Sequence, residues 1–241
     1  MRASHRFEVG VRFASTGAPQ VILEGLLGSL DDGTKHPAVV LCHPGIYEQT
    51  GMEYPVVAAC AAALHQAGFV TLRFNFRGVQ GSTGQRSGGQ HEPHDVLGAA
   101  QFLRQRPDVD GGEVYLLGNS FGAWMALKAA RQDQGAAGLV CIVLPLSLLQ
   151  STADDLRHDR RPKLFVAAEH DQFCDLGALR EAYRQWAEPK DLIVLQGSDH
   201  FLGIGPSADS VDRAPQIAGY VSSWLSQVAL TDKQIAASGH D

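Results

Sequence analysis

The chain has 241 residues, 44% of them hydrophobic, and a mean hydropathy of -0.09, which suits one globular domain with a large core. Its net charge is -6 and its pI about 5.9, and no basic run stands out, so nucleic acid and anionic membrane surfaces are not expected partners. No apolar run is long enough to span a bilayer, the first residues lack the apolar stretch of a secretory leader, and Cys42, Cys60, Cys141 and Cys174 show no C-x-x-C spacing. A cytoplasmic protein with reduced thiols and no zinc site is therefore expected.

Strands are predicted at 7–13, 21–27, 38–42, 70–76, 114–117, 138–144, 163–168 and 192–195. Helices are predicted at 54–66, 92–104, 121–132, 176–187 and 215–228, with a weaker helical piece at 146–156. The first two strands mix polar and apolar residues, as an antiparallel entry hairpin does. From the third strand onward the order is β-α-β-α, which implies a parallel sheet covered on both faces. No repeat or composition shift marks a boundary, so one domain over 1–230 is expected, with a frayed polar tail at 231–241.

The loop after the third strand contains His43-Pro44-Gly45-Ile46-Tyr47. The loop after the fourth carries Arg77, Arg86, His91 and His94. Both histidines are read as surface residues and both arginines as solvated; binding a substrate carboxylate is the other role open to the arginines. The fifth strand runs into Gly118-Asn119-Ser120-Phe121-Gly122 and then a helix. A G-x-S-x-G between strand and helix is a nucleophile elbow, which lifts a serine hydroxyl above the sheet. Its flanks are too tight for side chains, hence the glycines. As a plain strand-to-helix turn with a serine cap, the same motif would need nothing else from the chain.

A serine hydroxyl needs a histidine base, an acid to orient that base, and oxyanion donors. Asp171 and His200 follow the seventh and eighth strands, in the order acid then histidine that this elbow requires. Among competitors, Asp199 and His170 adjoin a triad residue on extended chain and point away from it. Glu169 is read as still within its strand. The Phe121 N–H is the first oxyanion donor. Pro44 has no N–H, so Gly45 or Ile46 supplies the second, and Gly45 is preferred for its close backbone approach. Ile46, Tyr47, Phe173 and Phe201 adjoin these residues and are candidate substrate-binding side chains. Cys174 is expected in a loop, partly exposed.

Together these residues resemble the α/β-hydrolase superfamily. Phe74-Asn-Phe-Arg-Gly78-Val-Gln-Gly-Ser82-Thr-Gly84 is similar to the F-x-x-R-G-x-G-x-S-x-G loop of small bacterial members, and Asp95 matches an acidic residue that often starts their next helix. Gly197-Ser-Asp-His200-Phe resembles the family's histidine loop and Glu169-His-Asp171 its acid loop. Some members take their acid after the preceding strand, where Asp154 and Asp155 lie. The resemblance spans 7–228 and departs at Gln80 and at His-Pro-Gly, where lipase-like members have His-Gly-Gly. It implies the α/β-hydrolase fold: a mostly parallel eight-stranded sheet with helices on both faces. The interval 145–162 is too short for a lid domain. The uncapped, dienelactone-hydrolase-like esterases are most similar, but they carry cysteine where this chain has Ser120, so their substrate is not carried over. The resemblance implies a serine esterase, and the short interval suits small acyl groups. A monomer or homodimer acting on a small-molecule ester is expected, and nothing in the sequence calls for a metal or other cofactor. A thioesterase or other acyl-transfer enzyme, or a non-catalytic binding protein, are the other readings.

Overall fold

Eight strands form one sheet in the order β1-β2-β4-β3-β5-β6-β7-β8 in the computed structural model, which describes residues 8–45, 51–150, 153–204, 207 and 211–238. β1 (Glu8–Ser15) and β2 (Ala18–Gly28) are an antiparallel hairpin, and β2 is antiparallel to β4 (Val70–Phe74). β4, β3 (His36–Cys42), β5 (Val109–Asn119), β6 (Ala136–Ile142), β7 (Lys163–Ala168) and β8 (Lys190–Leu195) are all parallel. The expected entry hairpin and parallel series are both present.

Burial on both faces explains the near-continuous apolar runs of β3 and β5. Ala38, Val40, Val114 and Leu116 face a core completed by α2 (Pro93–Arg104), α3 (Phe121–Gln132) and α6 (Leu176–Arg184). Val39, Leu41, Tyr115 and Leu117 face the opposite core, built with α1 (Pro55–Gln66) and α7 (Ala214–Ser238). Proline at the first position starts α1 and α2, where its missing N–H costs nothing. The Asp175 carboxylate caps α6 by accepting the Ala178 N–H at 2.7 Å.

Several boundaries differ from the sequence expectation. β5 starts five residues early because Val109 pairs with His36. β6 stops at Ile142, since Val143 takes φ 42° and turns the chain away. α6 ends at Arg184, and Trp186 turns in to pack on Phe165 with ring centroids 4.5 Å apart. The weak helical piece is two helices, α4 (Leu146–Gln150) and α5 (Ala153–His158). The tail expected to fray from Thr231 instead continues α7 to Ser238; the Thr231 hydroxyl donates to the Gln227 carbonyl at 3.0 Å. No helix among the described residues is long and apolar enough to cross a membrane.

Candidate active site

Ser120 stands between β5 and α3 at φ 51°, ψ -114°, a strained conformation for a residue with a side chain. Neighbouring backbone holds it there. The Ser120 N–H donates to the Ile142 carbonyl at 2.8 Å, and its own carbonyl accepts the Ala123 and Trp124 N–H groups, which starts α3. The flanking glycines are needed for space. A Cβ on Gly118 would lie 2.2 Å from the Gly122 backbone, and one on Gly122 would lie 2.3 Å from the Cys42 carbonyl oxygen. The second contact presses α3 against the end of β3, which brings Phe121 to the loop that starts at His43.

Asp171 and His200 meet because their two loops are tied together. Glu169 Oε2 accepts the Gly197 N–H at 2.8 Å, and the His170 N–H donates to the Ser198 carbonyl at 2.8 Å. His200 Nδ1 then lies 2.9 Å from Asp171 Oδ2 and 3.0 Å from Oδ1. A carboxylate only accepts, so Nδ1 carries the proton and Nε2 is left as an acceptor. Ser120 Oγ is 3.0 Å from that Nε2 and can donate to it. Asp171 is held in turn by the Phe173 N–H, which donates to Oδ1 at 2.8 Å. All three residues are buried.

Opposite the imidazole lies the turn from β3. His43 is fully buried; its Nε2 accepts the Phe76 N–H at 3.2 Å, so Nδ1 donates to the Pro44 carbonyl at 2.8 Å. Burial pushes its pKa down to about 4, and the charge of Arg86 acts in the same direction, so the ring is neutral at neutral pH. Gly45 packs on Phe121. Neither the Phe121 nor the Gly45 N–H donates a hydrogen bond among the described residues. Ile46 and Tyr47, the other candidates on this loop, lie outside the described residues.

The chain re-enters at Gly51–Glu53, a short 3-10 turn clamped from below. Asn75 Oδ1 accepts the Met52 N–H at 2.8 Å, while Asn75 Nδ2 donates to Glu24 Oε2 at 2.9 Å and Gln80 Oε1 at 3.1 Å. Arg73, buried in an ion pair with Glu8, donates to the Met52 carbonyl at 2.9 Å and to Glu53 at 2.8 Å. No sequence expectation covers this clamp. Its signal was Asn75, a polar residue between two buried phenylalanines.

Phe173 and Phe201 flank the imidazole edge-on, with centroids 4.8 and 5.8 Å from that of His200, and Phe173 is 51% exposed. Three expectations are corrected. Glu169 lies just past the end of β7, not within the strand. Arg77 is buried, not solvated: its guanidinium grips Asp95 through Nε and Nη2, at 2.7 Å for the shortest contact, because the loop folds back onto α2. Cys174 is buried, its side chain enclosed beneath the acid loop. Asp199 and Asp155 have other partners, Asp199 the Phe201 N–H and Asp155 the Arg131 side chain. His91 is exposed and His94 half-buried. No group of three or more histidine, cysteine or acidic side chains placed to hold a metal ion occurs among the described residues.

A lidless α/β sheet with a serine elbow at its C-terminal edge defines the α/β-hydrolase class. The chain belongs to the alpha/beta hydrolase domain family, whose model matches residues 36–227. It is 24% identical over 197 residues to the uncharacterized protein RP471 of Rickettsia prowazekii, covering 76% of this chain and 82% of that protein. An alpha-beta serine hydrolase homologue from Coxiella burnetii superposes with a TM-score of 0.72 at 22% identity, covering 92% of this chain and 99% of that one. XC6422 from Xanthomonas campestris, a serine hydrolase without a lid, gives 0.72 at 23%, covering 92% and 95%.

Proposed function

We propose that this protein is a serine esterase that cleaves small-molecule carboxylic esters through Ser120, His200 and Asp171, with a cytoplasmic site of action. The observation that carries the reading is the continuous relay from Ser120 Oγ to His200 at 3.0 Å and from His200 to Asp171 at 2.9 Å. Ser120 Oγ attacks the ester carbonyl while His200 Nε2 takes its proton, and Asp171 steadies the imidazolium. The Phe121 and Gly45 N–H groups receive the oxyanion. His200 then protonates the departing alcohol oxygen, and water, deprotonated by the same imidazole, cleaves the acyl-enzyme and restores Ser120.

Phe173, Phe201 and the partly exposed Phe121 supply an apolar wall beside the reacting atoms. With only α4 and α5 between β6 and β7, nothing on the scale of a lid roofs the site among the described residues, which favours short or small acyl groups. The test is hydrolysis of p-nitrophenyl acetate, butyrate, octanoate and palmitate by the wild type and by Ser120→Ala, with fluorophosphonate labelling alongside. Short-chain activity and labelling, both lost in Ser120→Ala, are expected. Labelling without turnover of any oxygen ester would move the reading to a thioester or another acyl transfer; neither labelling nor turnover would leave a binding protein.

A further inference from the structure

We propose that Arg86 forms an anion subsite on the acyl side of Ser120, and that the preferred substrate is an ester whose acyl group ends in a carboxylate. The inference rests on the reading of Ser120 as nucleophile and His200 as the proton carrier. Arg86 lies in the loop between β4 and α2, at the sheet edge that bears Ser120. It is exposed and takes part in no ion pair or hydrogen bond among the described residues. Three other charged residues in or against this loop have partners. Arg77 is taken by Asp95. Glu92, the carboxylate of the same loop, accepts the Ser87 N–H at 2.6 Å, the Ser87 hydroxyl at 2.5 Å and the Gly89 N–H at 2.8 Å. Lys128 donates to the Gly89 carbonyl and lies over the Trp124 ring at 4.7 Å.

The loop that presents Arg86 is held firmly. Besides the three bonds to Glu92, Gly89 is seated on Trp124, where a Cβ would fall 2.3 Å from the indole. Trp124 in turn packs on Phe121, with centroids 5.9 Å apart. At its other end Arg86 crosses the turn at Gly78, where a Cβ would lie 3.0 Å from the Arg86 nitrogen and 3.4 Å from its Cγ. Its charge is felt by His43, directly behind Pro44 and Gly45.

Sheet order sets which part of the substrate meets it. β7 and β8, which carry Asp171 and His200, lie on one side of β5; β3 and β4 lie on the other. His200 must protonate the leaving oxygen, so the alcohol part lies toward β7 and β8. The acyl part then extends toward β3 and β4, and the loop that follows β4 carries Arg86. A guanidinium binds a carboxylate through two parallel N–H bonds, which a neutral acyl group of the same length cannot match.

The experiment compares kcat/KM for the p-nitrophenyl half-ester of glutaric acid with that for p-nitrophenyl valerate, in wild type, Arg86→Gln and Arg86→Lys. In parallel, calorimetry measures glutarate and valerate binding to Ser120→Ala and to Ser120→Ala with Arg86→Gln. The wild type is expected to favour the half-ester by about tenfold or more, as a charge-assisted bidentate pair implies. Arg86→Gln should erase that ratio, Arg86→Lys should keep part of it, and glutarate should bind more tightly than valerate only where Arg86 is present. Equal treatment of the two esters by wild type, or a preference that survives Arg86→Gln, overturns the proposal. Arg86-dependent glutarate binding without turnover of either ester would instead overturn the esterase reading and keep the subsite.

Discussion

Gly45 lies so close to Phe121 that a Cβ added to it would fall 2.3 Å from Cδ1 of the ring. The two residues proposed to give the oxyanion donors are thus packed against each other. Gly45→Ala should push them apart and lower kcat by about 100-fold, the scale of losing one oxyanion donor. Combining it with Phe121→Ala removes the ring, so the double variant should lose less than the two single losses summed. Kinetics of the four proteins on p-nitrophenyl butyrate test this, and strictly additive losses would contradict it.

Asp171 fixes the tautomer of His200 through Nδ1. An amide at 171 can turn its NH2 toward the imidazole and force Nδ1 to accept, which leaves Nε2 protonated and unable to take the serine proton. Asp171→Asn should therefore lower kcat by about 10³–10⁴-fold. Burst kinetics should show acylation, the step that needs the base, slowed accordingly. A loss below tenfold would point to a different acid.

Asn75 is the keystone beneath the loop at Gly51–Glu53. Asn75→Ala leaves the buried Met52 N–H without its acceptor, a cost of about 1–3 kcal/mol. Urea unfolding should register that loss. A fall in kcat with KM nearly unchanged is expected as well, because the far end of the Gly45 loop loses its anchor.

The Arg77–Asp95 pair ties the loop after β4 to α2 with side chains 7% and 0% exposed. Arg77→Ala strands a buried carboxylate and should destabilise the protein by about 3–5 kcal/mol. Thermal unfolding of Arg77→Ala and Arg77→Lys should show the lysine variant as the milder, since it keeps the charge and loses only the fork.

His43 makes stability depend on pH. Its folded pKa of about 4 lies below the ordinary imidazole value of about 6.5, so between these values the unfolded chain binds the extra proton. The stabilisation is complete above about pH 6.5 and is lost as pH falls toward 4, by about 3 kcal/mol in all. Urea midpoints at pH 7.5 and pH 4.5 should differ accordingly, and His43→Gln should flatten that difference. An unchanged slope in the variant would assign the acid sensitivity elsewhere.

The candidate site was legible in sequence wherever it depends on chain order. Ser120, Asp171 and His200 each follow an apolar strand, and the structure brings their side chains within hydrogen-bond distance. The clamp at Asn75 was legible only as a polar residue between two phenylalanines, because its partners Glu24 and Met52 come from other segments of the chain. The solvated reading of Arg77 failed for a related reason. An arginine in a glycine-rich loop is normally exposed, and only the return of that loop onto α2 sets it beside Asp95.

The sequence by itself determined the strand-and-helix series, the parallel core and the elbow. Apolar periodicity, glycine placement and strand-end position are local properties, carried by a few consecutive residues. Tertiary structure alone decided which charges are matched and which groups are enclosed: Arg77 against Asp95, Cys174 under the acid loop, Gly122 against β3, Arg86 left open. Burial and charge pairing are set by which distant segments meet, and no short stretch of chain contains that information.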